Sequence, residues 1–312
     1  MDSTPETPAT PEKPPATPAP TPGTPTIASV PPAPTREGAA LSVDGLRMRG
    51  PRGPVYGDVR FEAGPGSLVA IEGPSGSGRT CLLLTLAGRM RPTSGKLLVD
   101  GLPLPQHMAA VRRFTALGPV EGVNDLDPAL TAAEHIHERV LLLRRFDGAL
   151  PDLFRPRRGR RAADEERRTH EALELAGLRA EDLPRGLDTH VRQLSALQVL
   201  RLGTAMALIG RPRLLCVDDA DRGLGSGERA EAWRMLRAVA AAGTTAVATC
   251  SQAPEVPQGP EGPRGPEDNG AVTVRLEPPH TPGRPGHPHG TDDTDDTEKE
   301  EAADALVQAG RP

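Results

Sequence analysis

Lysine and aromatic side chains are nearly missing from this chain. Lysine stands only at positions 13, 96 and 299, and Phe, Tyr and Trp together make up 2% of the 312 residues. So few rings leave no material for a base-stacking surface, and the core must be aliphatic, built on Leu, Val and Ala. A basic excess is missing too, since the formal net charge is −5; no nucleic-acid partner is expected. Cysteine is scarce and odd in number: Cys81, Cys216 and Cys250. They are scattered among small or apolar neighbours. That excludes a disulfide framework and predicts reduced, buried thiols in a cytoplasmic setting. No charged-then-apolar leader opens the sequence, so no secretory signal is expected. The longest low-charge stretch, "AVAAAGTTAVATC" at 238–250, is too short and too rich in Thr and Gly to span a bilayer.

Apolar groups are also thin at both ends. Residues 1–36 are mostly Pro, Thr and Ala, and 253–312 are rich in Pro, Gly, Asp and His. Such segments cannot bury enough apolar surface to offset the entropy of ordering. Residues 1–36 and 278–312 are therefore expected to be disordered flanking tails, the second acidic and solvated. The foldable part is roughly 40–252 plus a short apolar patch, "AVTVRLE" at 271–277, so that one domain is bounded by 40–277, enough for one well-filled core.

Within it, 41–47 and 55–63 alternate apolar and polar, as two antiparallel strands joined by a Gly/Pro turn. Further strands are expected at 67–73, 95–101, 213–219 and 244–251. Helices are expected at 80–90, 130–146, 163–178, 195–210 and 229–243. Strands alternating with helices predict an α/β fold with a mostly parallel sheet, an antiparallel β unit and a helical subdomain over about 125–200. "RPRRGRR" at 155–161 reads as an exposed basic loop, with anionic lipid headgroups as the rival contact.

The chemistry concentrates at "GPSGSGRT", Gly73 to Thr80. A phosphate-binding loop runs G-x-x-x-x-G-K-[ST] between a strand and a helix. Gly73, Pro74, Ser75, Gly76, Ser77 and Gly78 supply the turn whose backbone N–H groups would cradle phosphate. Thr80 supplies the hydroxyl for Mg2+. Arg79 stands where lysine belongs. It keeps the charge but is longer and planar, and the two are not interchangeable at a tight site. A second element supports the first: "LLCVDD" is an apolar strand ending in Asp218 and Asp219. Asp218 is placed to hold Mg2+, and Asp219 to act as the base that polarises an attacking water.

With "LSALQVLR" at 194–201 just upstream of that strand, the sequence resembles the ATP-binding cassette (ABC) ATPase domains of transporters. The family's signature reads LSGGQ, and here Leu194, Ser195, Gln198 and Arg201 match. "TSGKLLVDG" at 93–101 and "GVNDLDPALTAAEHI" at 122–136 also look like family segments. The resemblance covers roughly 40–277. It implies ATP and Mg2+ as ligands, and a head-to-tail dimer with itself or another cassette. In that dimer Ser195 and Gln198 would face the partner's nucleotide. It also implies a membrane permease as partner, with the chain held at the inner face of the cell membrane.

Several positions depart from the family. Ala196 and Leu197 replace two glycines of the signature, and Leu197 is expected to crowd the opposite nucleotide's γ-phosphate. Gly225 stands at the aspartate of the D-loop, and Ser251 at the switch histidine. The segment 118–122 has Glu121 where a glutamine is expected. No aromatic residue stands at 48–52 to stack adenine, which leaves open the role of Tyr56, in the next strand. Together these changes predict nucleotide binding with slow or impaired hydrolysis. The alternative is a catalytically inactive pseudo-ATPase used as a regulatory or scaffold module. A cassette-fold protein without a permease is a third reading.

Overall fold

The computed structural model describes residues 38–146, 158–253 and 271–277. All of them belong to one compact unit, 36–312; the other unit, 1–35, lies outside the described residues. Both expected tails fall outside them as well.

Alternating side chains and a tight turn at 51–52 set the first hairpin. Strand β1 (Leu41–Gly50) pairs antiparallel with β2 (Gly53–Ala63), from Leu41 opposite Ala63 to Gly50 opposite Gly53. Next come β3 (Leu68–Glu72) and helix α1 (Arg79–Leu86). The helix stops short of the expected residue 90. Gly88 takes φ 69°, and a Cβ there would sit 3.2 Å from the Met108 carbonyl oxygen; a left-handed glycine ends a helix. Strands β4 (Ser94–Val99) and β5 (Leu102–Leu104) form a second hairpin, and β4 joins β1 antiparallel.

The chain then runs through α2 (Met108–Phe114), β6 (Thr115–Leu117), α3 (Ala132–Phe146) and α4 (Arg158–Leu175). After these follow β7 (Pro184–Leu187), α5 (Ala196–Leu208), β8 (Leu214–Val217), α6 (Ser226–Ala241), β9 (Thr245–Cys250) and β10 (Val272–Arg275). The stretch expected to be helical, 125–200, holds α3 and α4. The basic segment 155–161 is not wholly a loop: α4 begins at Arg158. Arginine is a good helix former, and Arg167 pairs with Asp164 and Glu171 one turn either way.

Five strands form a parallel sheet in the order β10-β3-β9-β8-β6. Four others form an antiparallel sheet, β2-β1-β4-β5, and the short β7 joins neither. The apolar patch at 271–277 is thus the edge strand beside β3. Strand periodicity splits the core in two. Val69, Ile71, Leu214, Cys216 and Val247 pack toward the antiparallel sheet and α1. Leu68, Ala70, Leu215, Val217, Ala246 and Ala248 pack toward α5 and α6. Both faces of the parallel sheet are covered, which is why its strands read as continuous apolar runs.

Candidate functional site: a phosphate loop facing two aspartates

Parallel strands deliver their C-terminal ends to one edge of the sheet, where ligands of open α/β sheets bind. Here β3, β9 and β8 lie side by side. They bring Gly73, Thr249 and Asp218 to that edge.

The loop is built around residues without side chains. Gly73 N–H donates to the Cys250 carbonyl at 3.3 Å. A Cβ on Gly73 would fall 2.5 Å from Ser77 Oγ and 2.8 Å from the Leu276 carbonyl oxygen. Gly76 and Gly78 adopt φ of 80° and 81°, a region side chains avoid. A Cβ on Gly78 would also meet the Val55 carbonyl oxygen at 2.6 Å. Ser77 N–H closes the turn on the Pro74 carbonyl at 3.2 Å. Helix α1 then starts at Arg79 with no acidic residue in its first turn, so its positive end is unopposed from within.

Two polar atoms of the loop are buried without a hydrogen-bond partner among the described residues: Ser77 Oγ and Arg79 Nη1. Buried polar groups are nearly always paired. Arg79 spends its other nitrogen inside the protein: Nη2 donates to Asp219 Oδ1 at 3.0 Å. The Arg79 side chain is only 13% exposed and that of Asp219 27%.

Thr80 and Asp218 meet directly, with Thr80 Oγ1 donating to Asp218 Oδ2 at 2.8 Å. The other Asp218 oxygen accepts from Thr249 Oγ1. That same hydroxyl accepts the Asp219 N–H at 2.7 Å. Asp219 itself stands at φ 42°, a conformation costing a non-glycine residue about 1 kcal/mol. Among the described residues no group of three or more His, Cys, Asp or Glu forms a self-contained metal centre. The donors at hand for a divalent ion are Thr80 and Asp218, a set that needs ligand oxygens to complete it.

Ser251 directly follows β9. Its N–H donates to Asp221 Oδ2 at 2.9 Å, and its hydroxyl donates to the same oxygen. Gln252 N–H adds a third bond at 3.3 Å. The Ser251 hydroxyl is therefore already engaged by a buried carboxylate. Glu121 pairs with Arg222.

Ser195 and Gln198 lie apart from this cluster, at the start of α5. They cap each other: Gln198 N–H donates to Ser195 Oγ at 3.3 Å, and Ser195 N–H to Gln198 Oε1 at 2.9 Å. Gln198 Nε2 donates to the Asp182 carbonyl. None of these bonds reaches the loop. Leu197 corrects an expectation. It is buried in this chain's own core, while Ala196 is exposed; the second residue of α5 points inward with Leu200, so its side chain does not stand out to crowd a facing nucleotide. Tyr56 is likewise a core residue, 2% exposed, with its hydroxyl donating to Thr85 Oγ1 at 3.0 Å. Burial pushes its phenol well above the usual range. An open crevice of about 430 Å³ runs beside it, lined by Arg47, Arg49, Pro54 and Thr93 among others.

None of the three cysteines is in a disulfide. Cys216 and Cys250 are buried, and burial pushes each thiol up to about 12. Sequence reasoning missed Thr249, Asp221 and Arg222. For Thr249 a signal existed: a hydroxyl near the C-terminal end of an apolar strand with no solvent face.

A strand, glycine loop and helix, with a second apolar strand ending in acids beside them, define a P-loop nucleotide-binding fold. The family model described as "ABC transporter" matches residues 56–222, more than half of the sequence. The chain belongs to the ABC transporter family. It is 31% identical over 210 residues to the Nod factor export ATP-binding protein I of Cupriavidus metallidurans, covering 65% of this chain and 62% of that protein. It is 31% identical over 192 residues to the taurine import ATP-binding protein TauB of Pseudomonas savastanoi pv. phaseolicola, covering 62% and 64%. The matched stretch thus spans under two thirds of either relative. Among solved structures, cbiO1 of Clostridium perfringens, part of an ABC transporter complex, aligns with a TM-score of 0.54 at 21% identity over 69% of this chain and 80% of that one. A dimeric ATP-binding cassette in a post-hydrolysis state, bound to ADP and Pi, aligns with a TM-score of 0.53 at 20% identity over 76% and 96%. Both show the same cassette fold. No helix among the described residues is long and apolar enough to cross a membrane.

Proposed function

We propose that the chain is the ATP-binding subunit of an ABC-type transporter, taking Mg-ATP at Gly73–Thr80 and coupling nucleotide state to a membrane permease. The observation that carries this reading is the pair of buried, unpartnered polar atoms in the loop, Ser77 Oγ and Arg79 Nη1. They sit at the positive end of α1, where an anion with many acceptor oxygens satisfies both. Thr80 and Asp218 would hold the Mg2+, which neutralises phosphate charge when bound. The permease would keep the chain at the inner face of the cell membrane. A second cassette, identical or different, would contribute its own Ser195 and Gln198 positions across the interface. The relatives include an exporter and an importer component, so they support transport without setting its direction.

Hydrolysis is expected to be slow. Asp219 is held by Arg79 and is one methylene shorter than glutamate, and the Ser251 hydroxyl is spent on Asp221. Those contacts favour the second reading, a pseudo-ATPase acting as a regulatory module, once binding is established but turnover is not. The deciding experiment is equilibrium binding of a fluorescent ATP analogue to the whole chain, with and without Mg2+. Gly78→Asp serves as the loop-blocking control. Micromolar, Mg-dependent binding lost in the variant is the expected result. Absence of binding at millimolar analogue would overturn the nucleotide reading.

A further inference from the structure

Three arginines gather where α1 ends, and no carboxylate of the described residues pairs with them. Arg112, in the last turn of α2, donates from Nη1 to the Gly88 carbonyl at 3.0 Å. Arg139, in α3, donates from Nε to the Met206 carbonyl at 3.1 Å. Arg89 follows Gly88, and its half-buried side chain leaves Nε without a hydrogen-bond partner among the described residues. Burial, and after it the neighbouring charges of Arg112 and Arg139, pull the Arg89 guanidinium below its ordinary value. Burial does the same to Arg139. A carbonyl takes one of the five donors an arginine carries and brings no full charge. Two half-buried cations and an exposed one therefore share a face with nothing negative against them, an arrangement that an anionic occupant would relieve.

The same face is partly apolar. Leu141 and Leu142 of α3 are 46% and 42% exposed, two of the three large apolar side chains so exposed among the described residues. Leu142 lies three residues beyond Arg139, on the same side of the helix. A free inorganic anion has no use for a leucine. An acidic peptide segment that also carries apolar groups fits both features.

The chain itself has such a segment. Residues 292–304 hold eight acids and one lysine, and Leu306 and Val307 follow. We propose that this C-terminal segment, 292–307, docks on the face formed by the end of α1, α2 and α3, with its carboxylates against Arg89, Arg112 and Arg139 and its Leu306 and Val307 against Leu142. The connection is long enough. Strand β10 lies at one edge of the parallel sheet and β6, which follows α2 directly, at the other. Four strand spacings separate them, about 19 Å. Residues 278–291 include five prolines, and fourteen residues of such a chain reach about 43 Å when extended. Tethering makes the docking intramolecular, so ion pairs that are weak one by one act at a high effective concentration. The docked segment covers the face until a more strongly bound acidic partner displaces it. None of this depends on the nucleotide reading, because the loop Gly73–Thr80 stands at the opposite end of α1.

Disulfide trapping in the whole chain tests it. Leu142→Cys is combined with Ala305→Cys, and the bridge is identified by the mass of the linked peptides. Leu98→Cys with Ala305→Cys is the control, since Leu98 is 40% exposed on β4, away from the arginines. The bridge to position 142 is expected to form about tenfold faster than that to position 98, the gain that two or three partly exposed ion pairs allow. This advantage should disappear in about 0.5 M NaCl, where charges are screened within a few ångströms. It should also disappear when Asp292→Asn, Asp293→Asn, Asp295→Asn and Asp296→Asn are introduced together, and in the triple variant Arg89→Gln, Arg112→Gln, Arg139→Gln. A urea midpoint checks that the triple variant folds. The tail variant leaves 38–277 unchanged and decides the matter if it does not. Equal trapping at 142 and 98 would overturn the proposal and leave the arginines to an acidic partner outside this chain. An advantage that survives in the tail variant would overturn it too, as would bridges formed only between two chains.

Discussion

Thr249 does two jobs with one oxygen: it donates to Asp218 and accepts from the Asp219 backbone. It is fully buried in β9, so neither partner has water to replace it. Thr249→Val keeps the shape and removes the hydroxyl, leaving the Asp219 N–H unpaired and Asp218 short of one donor. The expected cost is about 1–3 kcal/mol, measured as a lower urea midpoint. Trp233, the only tryptophan and 2% exposed, serves as the fluorescent reporter. Mg-dependent analogue binding should weaken as well, because Asp218 is no longer held. An unchanged midpoint would mean that a water substitutes for the hydroxyl. At this scale the loop and both aspartates were legible in the sequence, since each motif is local. Thr249, Asp221 and Arg222 were not. Their roles depend on β9 lying between β3 and β8, and that order does not follow the chain.

Helix α5 shows what sequence patterns decide and where they fail. Its apolar spacing predicts a helix over 195–210, and the structure has one at Ala196–Leu208. Ser195 caps it, with Gln198 returning the bond, a reciprocal capping box. In the dimer of the proposed function these two residues face the partner. In this chain they hold the helix start. Ser195→Ala should therefore destabilise the isolated chain by about 1 kcal/mol. A urea titration checks this without any nucleotide. No loss would mean the cap is unimportant and the serine is kept for the partner alone. The misjudged elements have physical causes. Strands β5 and β7, with three and four residues, are too short to show a period of two. Helix α1 ends early because Gly88 needs φ 69°, which composition alone does not reveal. Helix α4 starts inside a basic run that pattern reading takes for a loop.

Across the whole molecule, the alternation of strands and helices was enough to predict an α/β fold with a parallel core. The edge position of β10 was not, since four residues after a long gap carry no pairing information. The two central strands also set how the molecule responds to alkali. Cys216 lies in β8 and Cys250 ends β9, and burial, the largest cause in each case, pushes both thiols from an ordinary 9 up to about 12. A thiol is neutral while protonated. Above pH 9 the unfolded chain gives up these protons and the folded one keeps them, so the unfolded state binds fewer protons and stability falls as pH rises. The contribution is complete below the unfolded value and is lost as pH climbs toward about 12. The slope is about 1.4 kcal/mol per pH unit for each thiol. Other groups available to titrate in that window are few: Cys81, three lysines and one tyrosine, and Tyr56 is also pushed up by burial. Urea midpoints should therefore hold steady up to about pH 8.5, the usual thiol range, and then drop steeply. In the double variant Cys216→Ala with Cys250→Ala the drop should flatten, although its starting stability is lower. An equally steep fall in that variant would show that alkaline loss comes from other groups and that these thiols ionise within the folded protein.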